Sequence, residues 1–272
     1  MSDTQTPFIV DQANGVLTLC LNRPEQGNAI PQSAVPQLTA LFSSIGQNPD
    51  VRVLLVRGEG ANFSAGGNVR DFALTLDMSV DERRANFAGR LDALRKMVEA
   101  YLAIEVPVIA ACQGAVAGAG LMFALGADYV LGDESVAFLF SHQRVGLPPD
   151  GGVSLLLPKV VGERRARELI LTAAKVDADE AYRIGLATRI VSSDELLPAA
   201  QAQARRFARA PVGAVRQAKR LIGASSTRSV KEQLLAERDG IVQAVGEPDF
   251  AEGVRAFLEK RQAEFPSAKI SS

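Results

Sequence analysis

Residues 107–138 read PVIAACQGAVAGAGLMFALGADYVLGDESVAF and decide how the chain folds. The apolar run at 107–112 predicts a buried strand, and 128–131 predicts a second one. Between them lies the glycine-rich stretch 114–120, which predicts a turn that other groups can approach closely, because glycine tolerates positive φ. The apolar run after it predicts a helix that begins near Gly118, with unsatisfied N–H groups and the positive end of its dipole at that point.

Further strands and helices surround this segment. Short aliphatic runs at 16–21 and 51–56, bounded by Gly, Asn and Pro, predict two more strands. Residues 81–102 predict an amphipathic helix, because apolar side chains recur there at steps of four and three. These side chains are Phe87, Leu91, Leu94, Val98 and Tyr101. Strands that alternate with helices indicate an α/β fold.

The C-terminal part of the chain has a different character. Residues 199–221 and 230–257 are rich in Ala, Leu, Arg, Gln and Glu, and they predict helices, one of which is interrupted or begun at Pro211. We therefore divide the chain into a core at 1–198, which would bind and react, and a helical region at 199–272. The helical region would serve oligomerisation by packing against another subunit.

The composition excludes several classes of protein. Apolar residues make up 47% and charged residues 22% of the 272 residues, which is ordinary for a globular protein. The formal charge of −1 predicts no nucleic-acid partner, and no apolar run is long enough to predict a membrane span. Cys20 and Cys112 each lie in an apolar run, where a thiol behaves as a small core side chain, so we expect a cytoplasmic protein.

A second glycine-containing stretch, 62–68, follows the strand predicted at 51–56. One backbone N–H from this stretch and one from 114–120 would together make an oxyanion hole. Taken alone, each stretch is more typical of an ordinary tight turn. Neither contains a G-x-G-x-x-G or Walker A pattern, so nothing here indicates dinucleotide binding or a P-loop.

Five segments in the same order resemble the crotonase superfamily, the enoyl-CoA hydratase/isomerase family. The resemblance covers almost the whole chain, roughly residues 8–265, and five ordered segments are far more specific than one motif. The segments are LNRPEQGNAI at 21–30, VRVLLVRGEGANFSAGGNVRDF at 51–72, the opening stretch at 107–138, VGLPPDGGVSLLLPKVVGERRARELILTAAKVDADEAYRIGLATRIV at 145–191, and AFLEKRQAEF at 256–265.

The resemblance implies a spiral of β-β-α units with a helical C-terminal region, assembled as a homotrimer or a dimer of trimers. It implies an acyl-CoA thioester substrate whose carbonyl lies between the backbone N–H groups of Gly67 and Ala119. The residues that match CoA-binding positions of the family are Arg23, Ala65, Val69 and Arg70. Coenzyme A would be part of the substrate, and we expect no separate cofactor and no metal.

The sequence departs from the family's hydratases at two positions. Those enzymes use two glutamates to activate water, and the matching positions here hold Met122 and His142. A thioether exchanges no protons, so the paired-carboxylate chemistry of hydration is missing. Met122 is expected to form an apolar wall of the acyl pocket, together with Phe140, for which a place in the core is the other interpretation. His142 would line the same pocket, although a lone histidine is often only a satisfied polar side chain.

Asp150 is the acid that the resemblance points to instead. In GLPPDGG at 146–152 it occupies the position where several enoyl-CoA isomerases of the family carry a catalytic Asp or Glu. One carboxylate can shift a double bond, removing a proton from one carbon and returning it to another, if the dienolate between these steps is stabilised. Pro-Pro-Asp-Gly-Gly is also typical of a turn or a helix N-cap, and Asp150 would serve that role without any catalysis.

The sequence therefore favours an enoyl-CoA isomerase with Asp150 as base and acid. Three other functions stay open. One is a hydratase-like activity with His142 in place of glutamate. Another is an acyl-CoA-binding protein that has lost catalysis. The last is a serine hydrolase with Ser64 as nucleophile and His142 as base, although the first glycine of G-x-S-x-G is missing.

Overall fold

The computed structural model describes residues 6–67 and 69–269, without the side chains of Val69 and Arg70. The strands are β1 (Phe8–Ala13), β2 (Val16–Leu21), β3 (Val53–Gly58), β4 (Val108–Cys112), β5 (Ala115–Ala117), β6 (Tyr129–Asp133), β7 (Ala137–Leu139), β8 (Lys175–Val176) and β9 (Arg189–Val191). The helices are α1 (Val35–Ile45), α2 (Val69–Ala73), α3 (Val80–Leu102), α4 (Ala119–Leu125), α5 (Val153–Val161), α6 (Glu163–Leu171), α7 (Ala178–Arg183), α8 (Leu196–Ala208), α9 (Val212–Ala224), α10 (Val230–Ala244) and α11 (Pro248–Leu258). The predicted α/β class is confirmed.

A six-stranded sheet in the order β1-β2-β3-β4-β6-β9 forms the centre of the fold. Only β1 and β2 pair antiparallel, and all other neighbours in this sheet are parallel. Parallel strands need both faces covered, which explains why β3 and β4 are apolar at successive positions. Leu54 and Val56 face the larger hydrophobic cluster, whereas Val53 and Leu55 face a smaller one.

The larger cluster packs α1, α3 and α4 against the sheet. Phe42, Tyr101 and Phe123 meet at its centre, with ring centroids 5.2–6.0 Å apart in tilted or edge-on geometry. The Tyr101 hydroxyl donates to the Phe123 carbonyl at 2.8 Å, which satisfies the one polar atom of this buried ring. Burial raises the pKa of Tyr101 well above its ordinary value.

The smaller cluster covers the other face of the sheet with α8. Helix α8 packs against β2, β3, β4 and β6. Its side chains in this cluster are small at Ala200, Ala204 and Ala208. The boundary that we expected between residues 198 and 199 falls inside this helix. Because α8 packs on the sheet, its buried residues contribute to the core, and the division of the chain into two functional regions stays a prediction.

The C-terminal region after α8 is helical, as predicted. Pro211 begins α9 as its N-cap residue, because its fixed φ suits that position. The run predicted at 230–257 is two helices, α10 and α11, and the second begins at Pro248. Arg220 of α9 pairs with Glu105 at 2.6 Å and so connects α9 to the core.

Among the described helices, none is both long and apolar enough to cross a bilayer.

Candidate active site

Parallel pairing of β3 and β4 brings the two glycine-containing stretches together. Because the strands are neighbours and run the same way, the loops that follow them leave from one edge of the sheet. Three backbone hydrogen bonds then join these loops. Phe63 N–H donates to the Gln113 carbonyl (2.7 Å), Ser64 N–H to Ala115 (3.0 Å) and Ala117 N–H to the Ser64 carbonyl (2.8 Å).

Glycine is required where the two loops cross. Gly66 has φ 88° and Gly118 has φ 47°, and a Cβ on Gly118 would lie 3.0 Å from Gly66 Cα and 3.3 Å from Gly67 N. The next residue, Ala119, begins α4 as predicted, with Gly118 as its N-cap. The Gly67 and Ala119 N–H groups donate to no other described residue. Both are therefore available as donors at the mouth of one cavity.

The cavity has a volume of about 440 Å³ and contains both predicted oxyanion donors. Its wall is mainly apolar, with a few polar and charged groups, which is typical of a small-molecule site. The lining residues that bear on the chemistry are Ala65, Gly67, Phe72, Phe87, Arg90, Leu91, Leu94, Met97, Ala119, His142, Arg144 and Asp150. Asp150 is the only carboxyl group among the described lining residues.

Asp150 and His142 meet on the cavity wall. The His142 Nε2 atom lies 3.4 Å from Asp150 Oδ1, and the side chains are 13% and 46% exposed, respectively. This Nε2 atom is buried and makes no well-aligned hydrogen bond within the described chain. The N-cap of α5 is Gly152, and no helix N–H donates to the Asp150 carboxylate. Asp150 thus lies in the expected turn but caps no helix with its side chain.

A charged residue in this wall was missed by sequence reasoning. Arg90 of α3 lines the cavity and lies over two aromatic rings, with its Cζ 5.3 Å from the Phe72 centroid and 5.5 Å from the Phe87 centroid. The predicted apolar face of α3 exists, but its first half, including Leu91 and Leu94, lines the cavity, whereas Val98 and Tyr101 belong to the core.

Other predicted site residues lie elsewhere. Met122 and Phe140 are buried in the larger hydrophobic cluster and are not among the residues that line the cavity. Arg23 is also absent from the lining, and its guanidinium lies 3.5 Å from the Ala29 carbonyl. The side chains of Val69 and Arg70 lie outside the described residues.

The serine hydrolase hypothesis is wrong. Ser64 is fully buried, its hydroxyl donates to the Asn28 carbonyl at 3.0 Å, and it accepts from Gly66 N–H at 3.2 Å. Ser64 does not line the cavity that contains His142. Its hydroxyl stabilises the loop that presents Gly67, so it is unable to act as an exposed nucleophile.

Within the described ranges, no group of three or more His, Cys, Asp or Glu side chains is arranged to hold a metal ion.

Comparison with known proteins identifies the family. The model for "Enoyl-CoA hydratase/isomerase" matches residues 11–268. The chain is 35% identical over 258 residues to 1,2-epoxyphenylacetyl-CoA isomerase of Escherichia coli (strain K12), covering 92% of this chain and 95% of the relative. It is 30% identical over 261 residues to crotonyl-CoA hydratase of Syntrophomonas wolfei, covering 96% and 98%, respectively.

The fold is shared with solved structures as well. The crystal structure of enoyl-CoA hydratase from Bacillus anthracis is similar with a TM-score of 0.88 at 27% identity, over 96% of this chain and all of that one (100%). The chain therefore belongs to the enoyl-CoA hydratase/isomerase family. The predicted family and the α/β crotonase-type fold with C-terminal helices are confirmed. The relatives include both isomerases and hydratases, so membership alone leaves the reaction open.

Proposed function

We propose that the chain is an enoyl-CoA isomerase in which Asp150 moves a proton between two carbons of the acyl group. The substrate is an acyl-CoA thioester with a double bond that is not conjugated to the carbonyl. Its thioester oxygen accepts hydrogen bonds from the N–H groups of Gly67 and Ala119. Those two donors are fixed by the crossing of the loops, so they need no reorganisation when charge develops.

The observation that carries this proposal is the position of Asp150. It is the only carboxyl group among the described residues of the cavity that also contains Gly67 and Ala119. Its carboxylate accepts no hydrogen bond from a described backbone N–H, so its oxygens remain available to a proton on the substrate. A general base needs this geometry before any tuning of its pKa matters.

The reaction follows in two steps. The Asp150 carboxylate removes a proton from the carbon next to the thioester carbonyl, and the resulting charge moves onto the thioester oxygen between the two amides. The protonated Asp150 then returns that proton to the γ carbon, and the double bond becomes conjugated with the carbonyl. One oxyanion donor is worth about 10²–10³ in kcat and a positioned base about 10²–10⁴.

A hydratase-like reaction is a second candidate, supported by His142. The buried Nε2 atom of His142 lies 3.4 Å from Asp150 and has no hydrogen-bond partner of good geometry within the described chain. A histidine and a carboxylate side by side on the cavity wall would both hydrogen-bond one water molecule in the cavity, in place of two glutamates. The family also contains relatives named as hydratases.

Coenzyme A would be part of the substrate, and no separate cofactor is needed for either reaction. By resemblance, Ala65, Val69 and Arg70 would contact its adenine, and Arg23 belongs to the motif that borders coenzyme A. The fact that Ala65 lines the cavity supports this assignment for that residue.

Self-association as a homotrimer or a dimer of trimers is also part of the proposal. The C-terminal helices expose apolar side chains that a monomer would leave in water, among them Ile222 (74%), Ile241 (67%) and Phe257 (84%). Sedimentation equilibrium should give three or six times the 28.9 kDa chain mass, and a monomer at micromolar concentration would refute this part.

The experiment for the reaction offers a 3-enoyl-CoA and a 2-enoyl-CoA to the wild type, to Asp150→Asn and to His142→Ala. We expect the wild type to convert the 3-enoyl-CoA to the conjugated product, seen as new ultraviolet absorbance. Asp150→Asn should lose this activity by at least about 100-fold, because an amide cannot accept the proton.

Two outcomes would overturn the isomerase assignment. The hydratase alternative is favoured if the wild type hydrates the 2-enoyl-CoA, this activity survives in Asp150→Asn, and it disappears in His142→Ala. Tight CoA-thioester binding with no turnover of either substrate would indicate a non-catalytic binding protein.

A further inference from the structure

Arg90 lies beside apolar residues of the cavity wall. Its neighbours along the same face of α3 are Leu91 and Leu94, which also line the cavity. A half-buried guanidinium in such a wall loses hydration that must be recovered from another group. An unbranched fatty acyl chain has neither a negative charge nor a hydrogen-bond acceptor that could replace the lost hydration of the guanidinium.

The guanidinium has no anionic partner within the described chain. Its contacts are the rings of Phe72 and Phe87, 5.3 Å and 5.5 Å from Cζ to the centroids, and it forms no ion pair with a described carboxylate. Two other arginines of the same helix differ in this respect. Arg84 contacts Asp81 at 3.5 Å and Arg95 contacts Glu99 at 2.7 Å.

The contacts with the two rings do not use the N–H donors of the Arg90 guanidinium. The N–H donors of a guanidinium point outward in its plane, so an aromatic contact on a flat face leaves them free. A carboxylate binds such an edge with two parallel hydrogen bonds, which is the strongest recognition that an arginine offers. Phe72 and Phe87 would hold the guanidinium in place, so little rotamer freedom is lost when the carboxylate binds.

The contacts of Phe72 relate the Arg90 guanidinium to the predicted thioester site. The Cζ atom of Phe72 is 3.8 Å from the Cβ position that an alanine at 67 would have, and Arg90 lies on the ring of Phe72. The ring of Phe72 therefore contacts both the guanidinium and the loop that presents the Gly67 N–H group. The phosphates of coenzyme A are the other anions that the substrate carries, and the comparison below separates the two because both test substrates carry the same coenzyme A.

We infer that the acyl group of the substrate carries a carboxylate at its far end and that Arg90 is the specificity-determining residue that binds it. This inference rests on the proposed function, because it places the thioester at Gly67 and Ala119. The substrate class is then a short, β,γ-unsaturated dicarboxylic acid esterified to coenzyme A at one end. The second anionic end lies at Arg90.

The test compares two substrates that differ only at the far end, 3-hexenoyl-CoA and the mono-CoA thioester of 3-hexenedioic acid. We expect the wild type to prefer the dicarboxylic substrate by at least about 10-fold in kcat/KM. Arg90→Met should lower kcat/KM for this substrate at least about 10 times more than for 3-hexenoyl-CoA, and Arg90→Lys should restore part of the difference. Arg84→Met is the matched control on the exposed side of α3 and should leave the preference unchanged.

Two results would overturn the inference. One is a wild type that prefers 3-hexenoyl-CoA or treats both substrates alike. The other is an Arg90→Met variant that loses both activities equally, since that pattern indicates a role in packing or in holding coenzyme A.

Binding of saturated thioesters separates this inference from the proposed reaction. Calorimetric Kd values for adipoyl-CoA and hexanoyl-CoA need no catalysis. If neither 3-enoyl substrate is turned over, the isomerase proposal fails. The inference still stands if wild type binds adipoyl-CoA at least about 10-fold more tightly than hexanoyl-CoA and Arg90→Met removes that difference. Equal Kd values would refute it.

Discussion

Gly118→Ala tests whether the crossing of the two loops sets up the oxyanion site. Gly118 has φ 47° and ψ −118°, a backbone conformation that residues with a Cβ rarely adopt. The added Cβ would lie 3.0 Å from Gly66 Cα and 3.3 Å from Gly67 N. The backbone strain should cost about 1–3 kcal/mol of unfolding free energy. Relief of the contact moves Gly67 by a few tenths of an ångström, away from the thioester oxygen.

In Gly118→Ala, we expect kcat to fall by more than the small loss of unfolding free energy would explain. Loss of one oxyanion donor costs about 10²–10³ in kcat, so a partial displacement should lower kcat by about 10–100-fold. Gly162→Ala is the matched control, because Gly162 also has positive φ (78°) but no atom lies within 4 Å of its added Cβ. Both variants should lose stability in urea unfolding, and only Gly118→Ala should lose kcat on a 3-enoyl-CoA. Equal kcat in the two variants would refute the reasoning.

Three further predictions concern the rest of the fold. Burial raises the pKa of Cys20 to about 11 and that of Cys112 well above its ordinary value, so iodoacetamide at pH 8 should label neither thiol until urea unfolds the chain. Hydrogen bonds from Arg261 and a backbone N–H lower the pKa of Glu252 from 4.5 to about 2. This group therefore stabilises the fold above about pH 4.5, and that contribution is lost as the pH falls towards 2. Glu252→Gln should weaken this part of the pH dependence of unfolding. Tyr101→Phe should cost about 1 kcal/mol in urea unfolding, because it leaves a buried carbonyl unpaired.

Strand existence followed from the sequence, but strand bounds did not. The apolar run at 51–56 predicts a strand there, whereas β3 is Val53–Gly58. Its bounds are set by the ladder with β2, which pairs Val16 with Val53 and Leu21 with Gly58. A pairing register depends on the partner strand and is not encoded in the run itself.

In the helical C-terminal region, a proline divides one predicted helical run into two helices. The run at 230–257 has a composition typical of one long helix. The chain instead ends α10 at Ala244 and begins α11 at Pro248. Proline disfavours helical conformation in the residue before it, so the sequence Gly246-Glu247-Pro248 indicates that the helix is interrupted there.

The site was predictable where it depends on the backbone and less so where it depends on packing. The glycine-rich stretches predicted one backbone donor from each loop, because close backbone approach needs glycine nearby, and the family resemblance assigned these donors to Gly67 and Ala119. The 3.4 Å contact between His142 and Asp150 arises from a 3₁₀ turn and a Pro-Pro turn whose geometry the sequence does not specify. Arg90 was missed because helical periodicity marks only the apolar positions of α3. It does not indicate that a charged side chain of this helix lies over the rings of Phe72 and Phe87.

The central claim is that the Asp150 carboxylate removes the proton next to the thioester carbonyl. Incubation of a 3-enoyl-CoA with enzyme in D₂O, followed by mass spectrometry, measures that step directly. We expect the wild type to incorporate deuterium at the α and γ carbons, and Asp150→Asn to do so at least about 100-fold more slowly while its Kd for the thioester changes little. Deuterium incorporation by Asp150→Asn at the wild-type rate would contradict the account.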